Sequence, residues 1–160
     1  MKKTNAARLL EGLKIPHTLQ EYPVDESDLS AEHVAREVGL PLNQVFKTLV
    51  ARGDRTGVIV AVLPGGGELD PKALASVSGN KKVDLVPLKE VQPLTGYLRG
   101  GCSPLGMKKK YPVFLDESAR AFPFISVSAG LRGIQVYLAP EDLRRACEGT
   151  WAPLARRAGD

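Results

Sequence analysis

The longest uninterrupted apolar run in this chain of 160 residues is Gly57–Pro64, which has the length of one strand. It suits a buried strand and falls far short of the roughly 18 residues that a membrane span needs. A second, mostly apolar segment covers residues 45–52, and a glycine- and aspartate-containing stretch, residues 53–57, separates the two. The pattern predicts two strands joined by a turn, so any fold for this chain must contain a β-sheet.

Capping residues and periodicity predict the other elements. Helices are predicted at residues 4–13, 31–38, 71–78 and 140–147, with a helical turn at 88–93 and a last short helix that turns Trp151 and Leu154 inward and Arg156 and Arg157 outward. Further strands are predicted at residues 18–22, 83–86, 113–116, 124–128 and 134–138. The strands outnumber those of a regular βαβ alternation, so we expect an α+β fold with a mixed, curled, barrel-like sheet flanked by short helices.

Composition limits the partners without selecting one. Lysine and arginine number 22 against 18 acidic residues, and the net charge of +4 permits a nucleic-acid partner without requiring it. No apolar segment follows the basic start, because Arg8, Glu11 and Lys14 interrupt it, so we expect a cytoplasmic protein rather than a secreted one. No repeat or composition break divides the chain, and we expect residues 1–160 to form a single domain.

Lys47 interrupts an otherwise apolar strand pattern. On a strand it shares a face with Leu49 and Ala51, and the pattern does not reveal whether that face is the core. If it turns inward, the ammonium lies in a partly closed site and needs an anionic or carbonyl partner. The alternative, which the pattern alone favours, is a lysine whose stem covers apolar surface while its charge reaches water.

Two glycine-rich segments are the other candidates for a binding site. Residues 99–106 predict a tight loop whose free N–H groups could bind an oxyanion or a carbonyl, and Lys108, Lys109 and Lys110 beside it could hold phosphates. Ser128 stands where a strand runs into a second glycine-rich turn and could donate a hydrogen bond to a ligand. The alternatives are a turn followed by a solvated charge run and a hairpin turn.

Several catalytic signatures are missing. The glycines at residues 65–67 lack the lysine and hydroxyl residue of a phosphate-binding P-loop, and no Gly-x-Ser-x-Gly motif is present. His17, His33, Cys102 and Cys147 do not have the spacing of zinc ligands, and we expect neither a metal nor a cofactor. Cys102 with one histidine as base is a weak alternative that only the fold could bring together.

Taken together, three segments resemble one family. Residues 45–49 read Val-Phe-Lys-Thr-Leu, residues 100–106 read Gly-Gly-Cys-Ser-Pro-Leu-Gly, and residues 127–130 read Val-Ser-Ala-Gly, followed by Arg132 and Gly133. Their order and spacing are similar to those of the YbaK group of aminoacyl-tRNA deacylases. The Ser-Pro-Leu-Gly and Lys-Lys stretch is most similar to the Cys-tRNA(Pro) deacylase branch, which resembles in fold the editing domain inserted in bacterial prolyl-tRNA synthetases.

The resemblance extends over residues 4–158 and implies an activity. Prolyl-tRNA synthetase does not fully exclude cysteine, because an apolar pocket discriminates weakly between side chains of similar size, so a second site must clear the error. Members of the group act in trans on cysteine esterified to tRNA(Pro), and the substrate's own thiol is thought to attack the ester carbonyl. The alternatives are a deacylase for another small aminoacyl group, such as alanine, and a non-catalytic tRNA- or nucleotide-binding module. A complex with prolyl-tRNA synthetase is a further implication.

The same resemblance implies roles for individual residues. Lys47 would position the ester or the terminal adenosine, backbone N–H groups near Gly100 and Gly101 would receive the carbonyl oxygen, and Tyr22 would wall the site and stack on adenine. Gln135 stands where members of the group often carry an acid, which weakens the expectation of strict cysteine specificity. The remaining substrate-binding residues implied are Cys102, Ser103, Pro104, Ser128 and Gly130, and the implied tRNA contacts are Lys81, Lys82, Arg99, Lys108, Lys109 and Lys110.

Overall fold

The computed structural model describes residues 3–156, in which five α-helices and eight strands form two sheets. The helices are α1 (Asn5–Gly12), α2 (Ala31–Val38), α3 (Pro71–Ser78), α4 (Leu88–Thr95) and α5 (Pro140–Cys147), and short 3-10 helices lie at Leu42–Gln44 and Glu117–Ala121. The strands are β1 (Thr18–Glu21), β2 (Phe46–Gly53), β3 (Gly57–Pro64), β4 (Val83–Leu85), β5 (Val113–Asp116), β6 (Ile125–Leu131), β7 (Ile134–Leu138) and β8 (Thr150–Ala152). No helix in this part of the chain is long and apolar enough to cross a membrane.

The helix ends follow the predicted caps. The side chains of Thr4, Ser30 and Asp70 accept N–H groups from the first turns of α1, α2 and α3. Helix α4 is longer than the predicted turn, because it continues past Pro93 and ends at Gly96, where φ is 84°. Local sequence therefore determines where these helices start and stop.

The α+β class is confirmed, with the strands divided between two sheets. The first sheet is antiparallel with the order β1-β7-β6, and the second is mixed with the order β4-β2-β3-β5-β8. Strands β2 and β3 form the predicted antiparallel pair, while β5 lies parallel to both β3 and β8. The sheets meet where Val45 forms a parallel bridge with Ser126.

Strand β3 is buried on both faces, as its apolar run predicts. Val60 and Val62 pack into a core shared with the first sheet, α1 and α5. Ile59, Ala61 and Leu63 point the other way, into a second core that contains α3 residues and Leu154. The second sheet therefore separates two apolar layers.

The predicted last helix is wrong. Residues 150–152 form strand β8, in which Trp151 lies opposite Leu115 of β5. Gly149 and Pro153 bracket a segment too short for a helix, and the aromatic residue at its centre suits a strand. Leu154 is buried, Trp151 is half-buried and Arg156 is exposed, whereas Arg157 lies outside the described residues.

Asp116 fixes the end of the chain to the second sheet. Its buried carboxylate accepts the N–H groups of Leu154 at 2.8 Å and Ala155 at 3.1 Å through Oδ1. Its other oxygen, Oδ2, accepts the N–H and the hydroxyl of Ser118. One carboxylate thus joins the end of β5 to the segment that follows β8.

We expect Asp116→Ala to lower the free energy of unfolding by about 2–4 kcal/mol, because it leaves backbone N–H groups without acceptors in a buried setting. Urea denaturation measures the change. The control is Asp84→Ala, which removes a carboxylate whose side chain is 74% exposed and should cost less than about 0.5 kcal/mol. Equal losses in the two variants would contradict this role for Asp116.

Candidate functional site

A cavity of about 400 Å³ lies beside an open edge of strand β2. Strand β4 pairs with β2 only from Ala51 to Gly53, and the bridge to Ser126 lies at Val45. Between these points, residues 46–50 have no partner strand on this edge among the described elements. The start of α2, the segment between β4 and α4, the loop at Arg99 and the first sheet surround the gap and form the cavity wall.

The Lys47 ammonium lies in this partly closed site. Its side chain is half-buried, and Nζ donates a hydrogen bond to the carbonyl oxygen of Gly65 at 3.1 Å. Burial lowers the pKa of Lys47 from its usual value, while the carboxylates of Glu32 and Glu68 oppose this shift. A lysine ammonium has three N–H bonds, so two more can be donated to a ligand.

The first sheet contributes neutral polar groups to the wall. Ser128 and Gln135 are register partners on β6 and β7, and both line the cavity. Gln135 is buried and accepts a hydrogen bond from the Ser126 hydroxyl at 2.8 Å, while Ser128 Oγ accepts the N–H of Gly130. Ser128 and Gln135 point away from the core, because successive residues of a strand point to opposite faces and the residues on either side of each lie in the core.

Thr48 adds an unsatisfied hydroxyl to the same wall. Its Oγ1 atom is buried and has no hydrogen-bond partner within residues 3–156. A buried polar atom without a partner costs free energy. Because the Thr48 oxygen is closed to solvent, a ligand in the cavity reaches it only if the wall moves. The strand pattern did not indicate Thr48, because it places Thr48 and Lys47 on opposite faces of the strand. Both residues line the cavity because the cavity lies along the strand's edge.

The loop at Arg99 and Gly100 closes one side of the cavity, and the Arg132 side chain helps to anchor it. Arg132 Nε donates to the carbonyl oxygen of Arg99 at 2.8 Å, and Nη1 donates to Glu26 at 2.7 Å. Gly100 has a φ of +82°, and a Cβ atom there would lie 3.2 Å from Leu29 and 3.4 Å from Arg132 Nε. The glycine is therefore required both by the turn and by the close packing around it.

Five of the implied substrate-binding residues lie outside the cavity wall. Tyr22 packs in an apolar cluster with Val34 of α2. The other four are Gly101, Ser103 and Pro104, which follow Arg99 in the same loop, and Gly130, which packs against that loop. The Gly101 N–H donates to Leu98, so in this structure it is already engaged.

Close packing explains why a serine and a glycine occupy two of these positions, Ser103 and Gly130. Ser103 is fully buried, and its Oγ accepts the N–H of Leu105. Gly130 has a φ of +101°, and a Cβ atom there would lie 2.8 Å from the ring of Tyr97. The Tyr97 hydroxyl donates to the carbonyl oxygen of Leu105 at 2.6 Å, which joins the two ends of the loop, while its ring packs against Gly130 of the β6–β7 hairpin.

Among the implied tRNA contacts, Arg99 lines the cavity and the lysines lie elsewhere on the surface. The Lys108 ammonium donates to the carbonyl oxygen of Pro93, and Lys110 pairs with Glu148. Lys81, Lys82 and Lys109 are exposed. Glu32, Leu85 and Leu88 also line the wall. No local sequence pattern indicates them, because only the fold brings them close to β2.

The cavity wall has few groups that could act as a nucleophile or base. Within residues 3–156, no histidine lines the cavity, and no cluster of three or more potential metal ligands occurs. Cys102 does line it, but burial raises the pKa of its thiol to about 11. Cys102 is therefore protonated at neutral pH, which argues against a nucleophilic role.

We expect both thiols of the native protein to react slowly with a thiolate-specific reagent. Burial raises the pKa of Cys147 to about 12, and at about pH 8 these shifts reduce the thiolate fraction about a hundredfold or more. Alkylation by iodoacetamide, followed by mass spectrometry, measures the rates, with the protein unfolded in guanidinium as the control. Fast labelling of native Cys102 would contradict its protonated state.

Comparison with known proteins identifies relatives of this chain. The family model of the aminoacyl-tRNA editing domain matches residues 26–146. A protein of Enterococcus faecalis named "Putative Cys-tRNA(Pro)/Cys-tRNA(Cys) deacylase EbsC" is 48% identical over 156 residues, which cover 98% of this chain and 95% of that protein. A proline–tRNA ligase of Brachyspira hyodysenteriae is 27% identical over 76 residues, covering 48% of this chain and 13% of the ligase.

A solved structure has the same fold over nearly the whole chain. It is described as the "Crystal structure of a putative trans-editing enzyme for prolyl tRNA synthetase", with a TM-score of 0.83, 24% identity, and coverage of 98% of this chain and 100% of that one. The matched residues 26–146 contain every residue that lines the cavity. The resemblance inferred from the sequence motifs is therefore confirmed, and the chain belongs to the aminoacyl-tRNA editing domain family.

Proposed function

We propose that this protein is a trans-editing deacylase that removes cysteine wrongly esterified to tRNA(Pro). The observation that carries the proposal is the position of the Lys47 ammonium in the cavity. The Cys102 thiol beside it is protonated, and among residues 3–156 no histidine lines the wall. Such a site can bind and polarise an ester, while the nucleophile comes from the substrate or from water. The name of the 48% identical protein, a Cys-tRNA(Pro)/Cys-tRNA(Cys) deacylase, supports cysteine as the aminoacyl group.

The partners follow from this activity. The substrate is a mischarged tRNA(Pro), and the similarity of about half of this chain to a proline–tRNA ligase supports a link to prolyl-tRNA synthetase. We place the protein in the cytoplasm, where tRNA is charged, and treat residues 1–160 as one editing domain. The exposed Lys81, Lys82 and Lys109 are candidates for contacts with the tRNA backbone.

In the proposed mechanism, the substrate supplies the nucleophile. The sulfur of the esterified cysteine attacks its own carbonyl carbon, a C–S bond forms, and the ester C–O bond breaks. The tRNA hydroxyl oxygen leaves and takes up the proton that the thiol loses, so no oxidant or reductant is needed, and water later opens the cyclic thiolactone. A free thiol has a pKa of about 8.5, so a modest thiolate fraction exists at neutral pH.

The protein contributes geometry and charge to this step. Lys47 donates to the oxygen on which negative charge develops, and Ser128 holds the aminoacyl group by a hydrogen bond. The attack is intramolecular even in the free substrate, so the cavity contributes by holding the side-chain rotamer that brings the sulfur towards the carbonyl carbon. Gly100 and Cys102 restrict the space in which the side chain can turn.

A second candidate is deacylation of alanine or another small aminoacyl group by water. Gln135 favours it, because a neutral amide stands where members of the group often carry an acid. A wall without that carboxylate would bind the α-ammonium of cysteine less selectively. A binding module without turnover is the remaining alternative.

We expect Lys47→Ala to lower deacylation of cysteine-charged tRNA(Pro) by about a hundredfold or more, since it removes the one ammonium that contacts the ester. Because the pKa of Lys47 is lower in the folded than in the unfolded protein, the folded state binds fewer protons between the two values. The folded protein is therefore stabilised as pH rises through that interval, and the substitution should not reduce stability at neutral pH. Release of radiolabelled cysteine and thermal unfolding measure the two effects.

The matched control is Lys72→Ala, which removes an exposed lysine on α3 that does not line the cavity and should leave activity unchanged. Alanine- and serine-charged tRNA(Pro) complete the panel. Release of cysteine alone supports attack by the substrate thiol, and release of all three supports attack by water. Full activity of Lys47→Ala would exclude the proposed role of Lys47, and no release of any aminoacyl group would favour a binding module.

A further inference from the structure

Two exposed leucines stand at the mouth of the cavity. Leu85 is 55% exposed and Leu88 is 62% exposed, and both line the cavity. The other large exposed apolar side chains of the described residues lie outside the cavity wall, and they are Leu13, Val24, Val77, Leu98 and Leu131. We call Leu85 and Leu88 the apolar rim.

The backbone that carries the apolar rim is held in place. Leu85 ends β4, and the next residue, Val86, donates its N–H to the carbonyl oxygen of Val50 on β2 at 3.0 Å. Leu88 begins α4, and Glu90 in its first turn pairs with Arg52 of β2 at 2.8 Å. The rim is therefore attached to the strand that carries Lys47, and its position relative to the cavity is preformed.

From this geometry we propose that the apolar rim binds the terminal adenine base of the tRNA acceptor end, an inference that rests on the proposed function. When the aminoacyl group occupies the cavity, its ester oxygen is bonded to the terminal ribose, so the base of that nucleotide must lie at the mouth. An adenine face is apolar enough to cover aliphatic side chains that are otherwise left in water. Arg99, which also lines the cavity, supplies a cation for the adjoining phosphate.

Three observations bear on what occupies the rim. Tyr22, to which the resemblance assigns adenine stacking, packs in the α2 cluster outside the cavity wall. Phe46 does line the wall, but it is buried in the core, so the exposed apolar side chains that the described wall offers to a base are the two leucines. A protein partner needs about 800 Å² of surface on each side, which two side chains do not provide. The rim is also continuous with the cavity, as a base covalently joined to the aminoacyl group requires.

The test compares substrates with and without the base. Leu88→Ser removes part of the rim at an exposed helix start, and Leu98→Ser is the matched control, because Leu98 is 52% exposed and lies outside the cavity wall. We expect Leu88→Ser to raise KM for cysteine-charged tRNA(Pro) about tenfold, the scale of losing the apolar burial of one partly covered leucine side chain. Its kcat/KM for cysteine methyl ester, which has no nucleotide, should stay within about twofold of the unsubstituted protein, and Leu98→Ser should change neither.

A loss of the same size on both esters would overturn the proposal, because it would mean a structural effect on the cavity. An unchanged KM for the charged tRNA would overturn it as well. If Leu88→Ser loses binding to prolyl-tRNA synthetase while KM is unchanged, the proposal is also overturned, and the rim is identified as a protein interface.

A binding measurement separates failure of this inference from failure of the proposed function. Adenosine monophosphate is titrated into the isotopically labelled protein, and the methyl resonances of Leu85, Leu88 and Leu98 are followed. We expect the rim methyls to shift and those of Leu98 to stay, even if no ester is cleaved. Shifts elsewhere without shifts at the rim would overturn the adenine site, whereas rim shifts without deacylation would overturn the enzymatic function alone.

Discussion

The candidate site depends on an incomplete strand pairing. Strand β2 is paired along its whole length with β3, but its other edge is covered only from Ala51 to Gly53 by β4 and bridged at Val45. An open edge inside a sheet protein leaves backbone and side chains of several residues accessible at once. The cavity fills this opening, which is why Lys47 and Thr48, successive residues on opposite faces of one strand, both border it.

The electrostatics of the cavity are simple, and they place the chemistry on the substrate. One ammonium is partly desolvated beside a backbone carbonyl, and Glu32 and Arg99 add one charge of each sign to the wall. The groups from the first sheet are a neutral hydroxyl and a neutral amide. The cavity thiol stays protonated because burial penalises the thiolate. A wall of this kind can orient an ester and stabilise negative charge on it, but it offers little to start the attack, which fits a substrate that carries its own sulfur.

Much of the fold could be predicted because its signals are local. Thr4, Ser30 and Asp70 mark helix starts within a few residues of themselves, and the apolar run of β3 marks a strand buried on both faces. The segment at Trp151 failed because its strand state comes from pairing with β5, which is distant in sequence. In the site, motif resemblance pointed to Lys47, Gly100, Cys102, Ser128 and Gln135, all of which line the cavity. Thr48, Leu85 and Leu88 could not be predicted as wall residues. They line the cavity only because β4 leaves part of one edge of β2 unpaired.

The Arg132 guanidinium joins three parts of the chain that are far apart in sequence. It contacts the carbonyl oxygen of Arg99 and the carboxylate of Glu26, while Arg132 itself follows directly on the strand that carries Ser128. A shorter or singly donating side chain cannot satisfy both acceptors, since the fork geometry of a guanidinium is what spans them. In recombination between related domains, a chimaera keeps both contacts only if the parent that supplies residue 132 has arginine there and the parent that supplies residue 26 has an acceptor there, because the acceptor at residue 99 is a backbone carbonyl.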